Sequence, residues 1–389
     1  MLRNISLSVR KIQGRKEIKK VLATFLQWKE EIATLAPPPP VAKKLLIIRL
    51  DDIGDYLLFR NTLKAYRNAP QWQGYEITLL ANKVWKGLYE YADNDAADKV
   101  IWVSKNDYFD KPASRKALWQ SLRNEGFDTV ICPARARPLL LDDACMLAAG
   151  APHNIGSNND MKYPEWNALS DTLYTTLYPQ RNMMVHEFLF NVRFAEQCTG
   201  LRLYLDRPAI PAPQVNTGIT TPYIVCFIGG SKKSHRWPAE RWIELIQMAT
   251  NDNRYTFVLA GGKSDKDIAD KVMAATQARS IVGEVTLPEV AGWMKGSAAI
   301  ISNDTMSSHL AVSCDRPTLI VANGDNFYKF CDYKNAGIER VDNAYPDLFL
   351  NYWKKKHYKP FKNYVAVTKD IATIPANRVY NALQQLLTD

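Results

Sequence analysis

From Lys44 onward the chain alternates short apolar runs with stretches of helical periodicity, in two separate series. Runs at 45–50, 77–80, 100–103 and 129–132 form the first series. Runs at 223–228, 255–259, 280–282, 298–302 and 318–321 form the second. Helical stretches near 56–67, 239–248, 265–275 and 288–294, and from 307, lie between them. Short buried strands separated by helices imply parallel βαβ units. The segment 204–222 carries Pro208, Pro211, Pro213 and Pro222 with few long apolar runs, which suits an interdomain linker. The fold class expected is therefore α/β, with two doubly wound domains of similar size facing a cleft. The division expected is a basic helix and proline spacer at 1–42, a first domain at 43–205 and a linker at 206–222. A second domain at 223–368 and a closing helix at 369–389 follow.

Composition narrows the function classes. No apolar run is long enough to span a bilayer, and the charged N-terminus lacks a signal-peptide core. Six scattered cysteines with no C-x-x-C pair suit a reducing compartment, so a cytoplasmic location is expected. The net charge is +10, yet up to Lys44 there are ten basic residues against three acidic ones. The rest of the chain is nearly balanced and makes no case for nucleic acid. Ile18, Val21, Leu22, Phe25, Trp28 and Ile32 form an apolar stripe, with Arg15, Lys16, Lys19 and Lys20 beside it. Pro37 to Pro40 then ends the helix. Such a helix either lies on an anionic membrane, through residues 1–35, or docks on the protein by its stripe.

Three strand ends carry chemistry. Arg49-Leu50-Asp51-Asp52-Ile53-Gly54-Asp55 puts three carboxylates and a glycine in one turn. Repulsion among them raises a pKa, and a carboxylate so tuned can take a proton from an attacking hydroxyl. Asp55 is alternatively the N-cap of a helix starting at Tyr56. Gly230, Ser231, Lys232, His235 and Arg236 precede a helix opened by Pro238, an arrangement of donors and cations suited to a diphosphate or to an ordinary basic turn. Asp304, Thr305, Met306, Ser308 and His309 follow the run 298–302. Asp304 reads as a ligand-facing carboxylate or an N-cap, and His309 as a ligand-facing or a core imidazole. Asp265 suits ribose hydroxyls or an N-cap equally. Arg135 and Arg137 either grip an anionic acceptor or pair with Asp142 and Asp143.

Together these segments resemble glycosyltransferase family 9, the lipopolysaccharide heptosyltransferase type, from about Lys43 to Val367. Arg49, Gly54 and Asp55 match its R-x-x-x-x-G-D; Trp237 and Pro238 match K-x-W-P; Asp304, Thr305 and His309 match D-T-G-x-x-H. The resemblance implies a GT-B fold, two Rossmann-like domains with a C-terminal helix crossing back. It implies inverting, metal-independent transfer of a heptose from an ADP-activated donor to a lipopolysaccharide-core or other envelope acceptor on a lipid, with no cofactor. It assigns Asp55 as general base, the loop from Gly230 to Arg236 and the turn Thr305 to His309 to the diphosphate, Asp265 to ribose, and Val285 to the adenine pocket. It places Asp304 beside sugar and diphosphate. Two positions depart: His235 stands for the family lysine and Met306 for its glycine. A UDP- or GDP-sugar transferase, or a non-catalytic nucleotide-sugar or glycan binder, is the alternative.

Overall fold

A computed structural model describes residues 2–39, 43–179, 185–230, 232–250, 254–325, 327–355 and 370–388, with side chains from Gly14 onward. The first domain is a six-stranded sheet: β1 (Lys44–Arg49), β2 (Glu76–Asn82), β3 (Lys99–Val103), β4 (Thr129–Ile131), β5 (His153–Ser157) and β6 (Thr176–Tyr178). Its spatial order is β3-β2-β1-β4-β5-β6, and every pairing is parallel. The second sheet comprises β7 (Tyr223–Phe227), β8 (Thr256–Ala260), β9 (Arg279–Ser280), β10 (Ala299–Asn303), β11 (Thr318–Val321) and β12 (Val341–Ala344). Its order, β12-β11-β10-β7-β8-β9, repeats the first topology strand for strand, again all parallel. Both are doubly wound, Rossmann-like sheets, and the two together make a GT-B architecture.

In each sheet the chain reverses its direction of travel between the first and fourth strands. That switch point opens a crevice at the carboxyl ends of the strands, where ligands of such sheets bind. It lies between β1 and β4 in one domain and between β7 and β10 in the other. Buried β1 (Leu45, Leu46, Ile47, Ile48) and β10 (Ala299, Ile300, Ile301) anchor the two crevices in continuous apolar core.

The domains share apolar contacts. Leu58, Phe188 and Val192 of the first pack with Val312, Ile320 and Tyr333 of the second. The linker after Gly200 touches both halves. Ile210 N–H donates to Ser313 O at 3.1 Å, and Asn61 Nδ2 donates to Ala209 O at 3.0 Å.

The N-terminal helix Leu2–Ala33 docks on the first domain by the expected stripe. Trp28 and Ile32 enter the core that holds Leu46 and Ile48, while Phe25 packs with Leu139 and Trp166. Pro40 of the spacer lies outside the described residues. No described helix is long and apolar enough to cross a membrane. The closing helix Ala376–Thr388 does not cross back. Val379, Leu383 and Leu386 pack with Ile224, Trp242 and Leu245 of the second domain, whose exposed helix flank they complete.

Candidate active site

The two switch points face each other across a cavity of about 580 Å³, a size suited to a small-molecule ligand. The first domain supplies Asp52, Ile53, Gly54, Asp55 and Val84. The second supplies Gly230, Lys232, His235, Arg236, Gly262, Ser264, Asp265, Asp304, Thr305, Met306, His309 and Phe330. Most of the residues singled out from sequence thus meet in one place. Ser231 lies outside the described residues.

The helix after β1 begins at Ile53, not Tyr56. Its N-cap is Asp52, and Asp55 is the third helical residue of a capping box, accepting the Asp52 N–H at 3.3 Å. The Asp55 carboxyl is thereby fixed at a helix N-terminus and turned to the cavity. Burial pushes it up to about 6, against the nearby Arg49 guanidinium and with help from the Glu187 and Asp52 charges. A carboxylate in that range is ionised at neutral pH and can still accept a proton.

Arg49 organises this wall. It is fully buried, donates to Pro133 O at 3.2 Å and Asn191 Oδ1 at 3.1 Å, and pairs with Asp51 at 2.8 Å and Glu187 at 3.7 Å. One buried cation therefore faces Asp51, Asp55 and Glu187. Burial also raises Asp142 to about 7, with Asp143 next to it.

Arg135 and Arg137 do not line the cavity. Arg137 is buried, 2.9 Å from Asp171 and 3.8 Å from Asp143; Arg135 is buried, 3.2 Å from Asp160 and 3.7 Å from Glu187. Ion pairing, not acceptor capture, accounts for both side chains, since burying an unpaired guanidinium is costly. Of the expected partners Asp142 and Asp143, Arg137 meets Asp143, and Asp171, Asp160 and Glu187 supply the other pairings.

In the second domain, Thr305 caps the helix Met306–Ser313, and its Oγ1 accepts from Ser307 N–H at 3.4 Å. Asp304 is therefore not the cap; its buried carboxylate lines the cavity, 3.7 Å from His235 Nδ1. Ser308 is fully buried and donates to Thr305 O at 2.7 Å, so it braces the turn from behind the lining. The His309 ring is buried, and its Nδ1 lies 2.6 Å from Tyr333 Oη. Burial, with a small push from His186, lowers it to about 3, so it is neutral.

His235 Nδ1 is 2.9 Å from Asp304 O, which can only accept, so Nδ1 carries a proton and donates it there. Its Nε2 lies 3.6 Å from Asp325. Arg236 Nε donates to Gly230 O, and Arg236 Nη2 is 3.7 Å from Asp265. Asp265 Oδ2 accepts Gly262 N–H at 2.9 Å, as a helix-start residue does. Its Oδ1 is buried with no hydrogen-bond partner among the described residues, although the carboxylate lines the cavity. Val285 is half-buried against the core shared by the two domains and is not among the lining residues.

The family model for glycosyltransferase family 9 (heptosyltransferase) matches residues 115–321, more than half the chain. The chain belongs to glycosyltransferase family 9. This family 9 chain is 26% identical over 101 residues to lipopolysaccharide heptosyltransferase 1 of Salmonella typhimurium, spanning 26% of this chain and 32% of that protein. The match thus covers about a third of the relative's length. Two solved structures share the fold. A family 9 glycosyl transferase from Veillonella parvula has a TM-score of 0.66 at 18% identity, covering 90% of this chain and 98% of that one. The E. coli heptosyltransferase WaaC with ADP-2-deoxy-2-fluoro heptose has a TM-score of 0.63 at 18% identity, covering 88% and 99%.

Glu187, Phe330 and Tyr333 were not singled out from sequence. Glu187 opens a helix more than a hundred residues from Asp55, and nothing local marks it. Phe330 and Tyr333 lie in the aromatic cluster Phe327-Tyr328-Lys329-Phe330-Cys331-Asp332-Tyr333, a signal that was present in this family 9 sequence.

Proposed function

We propose that this chain is an inverting glycosyltransferase that moves a heptose, or a related sugar, from an ADP-activated donor to an envelope glycan such as a lipopolysaccharide core. The observation that carries the reading is that Asp55, from one switch point, lines the same cavity as the anion-suited turns of the other. Asp55 takes the proton of an acceptor hydroxyl while that oxygen bonds to the anomeric carbon. The bond from that carbon to the diphosphate breaks on the opposite face, through an oxocarbenium-like transition state. Lys232, Arg236, the backbone N–H groups after Gly230 and the start of the helix Met306–Ser313 receive the departing charge. Asp265 Oδ1, which accepts no hydrogen bond among the described residues and has only the Arg236 guanidinium 3.7 Å away, is suited to a ribose hydroxyl. The acceptor is lipid-borne, and the exposed face of the N-terminal helix carrying Arg15, Lys16, Lys19 and Lys20 lies against an anionic cytoplasmic membrane surface.

A second donor reading has its own support. His235 stands between the Asp304 and Asp325 carboxylates, and its one assured proton points at a carbonyl, so it offers a diphosphate less than a lysine does. A donor with another base and another sugar, such as a UDP- or GDP-hexose, is therefore the alternative. Thermal unfolding with ADP, UDP and GDP, each with a matching sugar nucleotide, decides between them. Stabilisation by the adenine set alone upholds the first reading. Stabilisation by another set replaces it. Binding without nucleotide release, with an envelope extract present, makes the chain a binding protein.

A further inference from the structure

We infer that Tyr333 is a positioning residue that holds His309 as its Nε2–H tautomer, so that the imidazole presents a hydrogen-bond donor to an anionic ligand in the cleft. His309 is buried and neutral, so its ring carries one N–H. Its Nδ1 is 2.6 Å from Tyr333 Oη, and both side chains are buried. A phenol has a single proton, and no other acceptor for it is recorded among the described residues. If Nδ1 carried the imidazole proton, the phenolic O–H would be buried without an acceptor, at substantial cost. The phenol therefore donates to Nδ1, and the ring proton is on Nε2. That nitrogen lies along the ring edge facing Gly54, on the cavity side.

The other domain fixes the tyrosine. His186 Nδ1 accepts the Phe188 N–H at 3.2 Å, so its Nε2 carries the proton and donates to Phe330 O at 3.1 Å. The His186 ring packs on the Tyr333 ring at 4.4 Å between centroids. A first-domain histidine thus braces the segment that sets the His309 tautomer. The donor is presented when the two halves are together.

The tautomer is read directly by long-range ¹H–¹⁵N correlation on the full chain with ¹⁵N-labelled histidine, with the His309 signals assigned by their loss in His309→Gln. The expected pattern is Nε2–H in the wild type and a mixture of tautomers in Tyr333→Phe, which keeps the buried ring. A wild-type Nδ1–H pattern overturns the inference, as does a Tyr333→Phe pattern identical to wild type. The second arm is calorimetric titration with ADP, and it rests on the function proposed above. Tyr333→Phe is expected to bind three- to tenfold more weakly, the scale of one ordinary net hydrogen bond, because the donor tautomer stays partly populated. In His309→Gln, whose amide places an N–H near the Nε2 position, the same tyrosine change is expected to have no further effect. Equal losses from Tyr333→Phe in both backgrounds mean a merely structural role and overturn the inference. If ADP does not bind the wild type, the donor reading fails while the spectrum still decides the tautomer.

Discussion

Gly54 and His309 meet across the cleft with no room for another atom. A Cβ placed on Gly54 lies 2.8 Å from His309 Cδ2 and 3.5 Å from the Met306 Cα. The imidazole is tied to Tyr333 and cannot swing aside freely. Gly54→Ala is therefore expected to push the helices Ile53–Phe59 and Met306–Ser313 apart. Overpacking of this kind costs about 1–3 kcal/mol. Denaturant unfolding should report that loss, together with at least a tenfold drop in sugar transfer. Transfer at the wild-type rate would show that the close approach is not needed for turnover.

Asp55→Asn separates chemistry from folding. Losing a general base is expected to slow transfer by about 10²–10⁴-fold. The folded carboxyl is raised to about 6, chiefly by burial. Its ionised form is thus disfavoured in the fold, and the resulting destabilisation grows as pH rises from the ordinary carboxylate range through 6. Asparagine removes that cost, so at pH 7 the variant should be more stable than wild type by about 1–3 kcal/mol, with the two converging near pH 4. Urea titrations at both pH values check this. Full activity in the variant would remove Asp55 from the base role.

Transfer should also fall as pH drops through about 6, where Asp55 takes up its proton. Arg49 is the nearest influence holding that carboxyl down, so Arg49→Met should move the acid limb upward. The same change leaves Asp51 without its buried counter-charge and Glu187 with Arg135 alone, at an expected cost of about 3–5 kcal/mol. A pH–rate profile with an unmoved limb would show that Arg49 does not tune the base.

His235→Lys with Met306→Gly restores the two residues at which the chain leaves its family's pattern. If the donor carries ADP, the double variant should bind ADP about three- to tenfold tighter, because an ammonium is a better diphosphate partner and glycine lets the backbone approach. Titration calorimetry decides the point. Weaker binding of ADP in the variant would favour a donor for which His235 and Met306 are suited.

The exposed face of the N-terminal helix yields a separate test. Charge reversal of Arg15, Lys16, Lys19 and Lys20 to Glu should abolish sedimentation with phosphatidylglycerol vesicles, at about 1 kcal/mol per basic residue lost. Nucleotide binding should be unaffected, because these side chains face away from the core. Equal binding of wild type to phosphatidylcholine vesicles would refute the electrostatic attachment.

Local pattern made β1 and β10 legible, because a run such as Leu45 to Leu50 or Ala298 to Ile301 leaves a buried parallel strand as the simple reading. It also picked out the loops that follow them. It missed β5, β6 and β12, where sequences such as His153-Asn154-Ile155-Gly156-Ser157 and Val341-Asp342-Asn343-Ala344 are too polar and short to announce a strand. These strands owe their state to the neighbours they pair with. The start of the helix at Ile53 was hidden by Gly54, a poor helix former kept by the nearness of His309. Of the carboxylate partners legible for Arg135 and Arg137, Asp143 is met by Arg137; Asp160, Asp171 and Glu187 were not legible because they come together only through the sheet. Which nitrogen of His309 faces the ligand depends on Tyr333, two dozen residues away.

The N-terminal helix buries Phe25, Trp28 and Ile32 wholly within the first domain. Whatever surface that helix rests on becomes the stationary frame. On the proposed function, the half bearing Asp55 would then stay beside its lipid-borne acceptor, and any movement of the other half would be relative to it. Reloading with fresh sugar nucleotide would not require the enzyme to let go of the surface. Successive acceptors would reach the base by lateral diffusion in two dimensions, while the donor arrives from bulk solution.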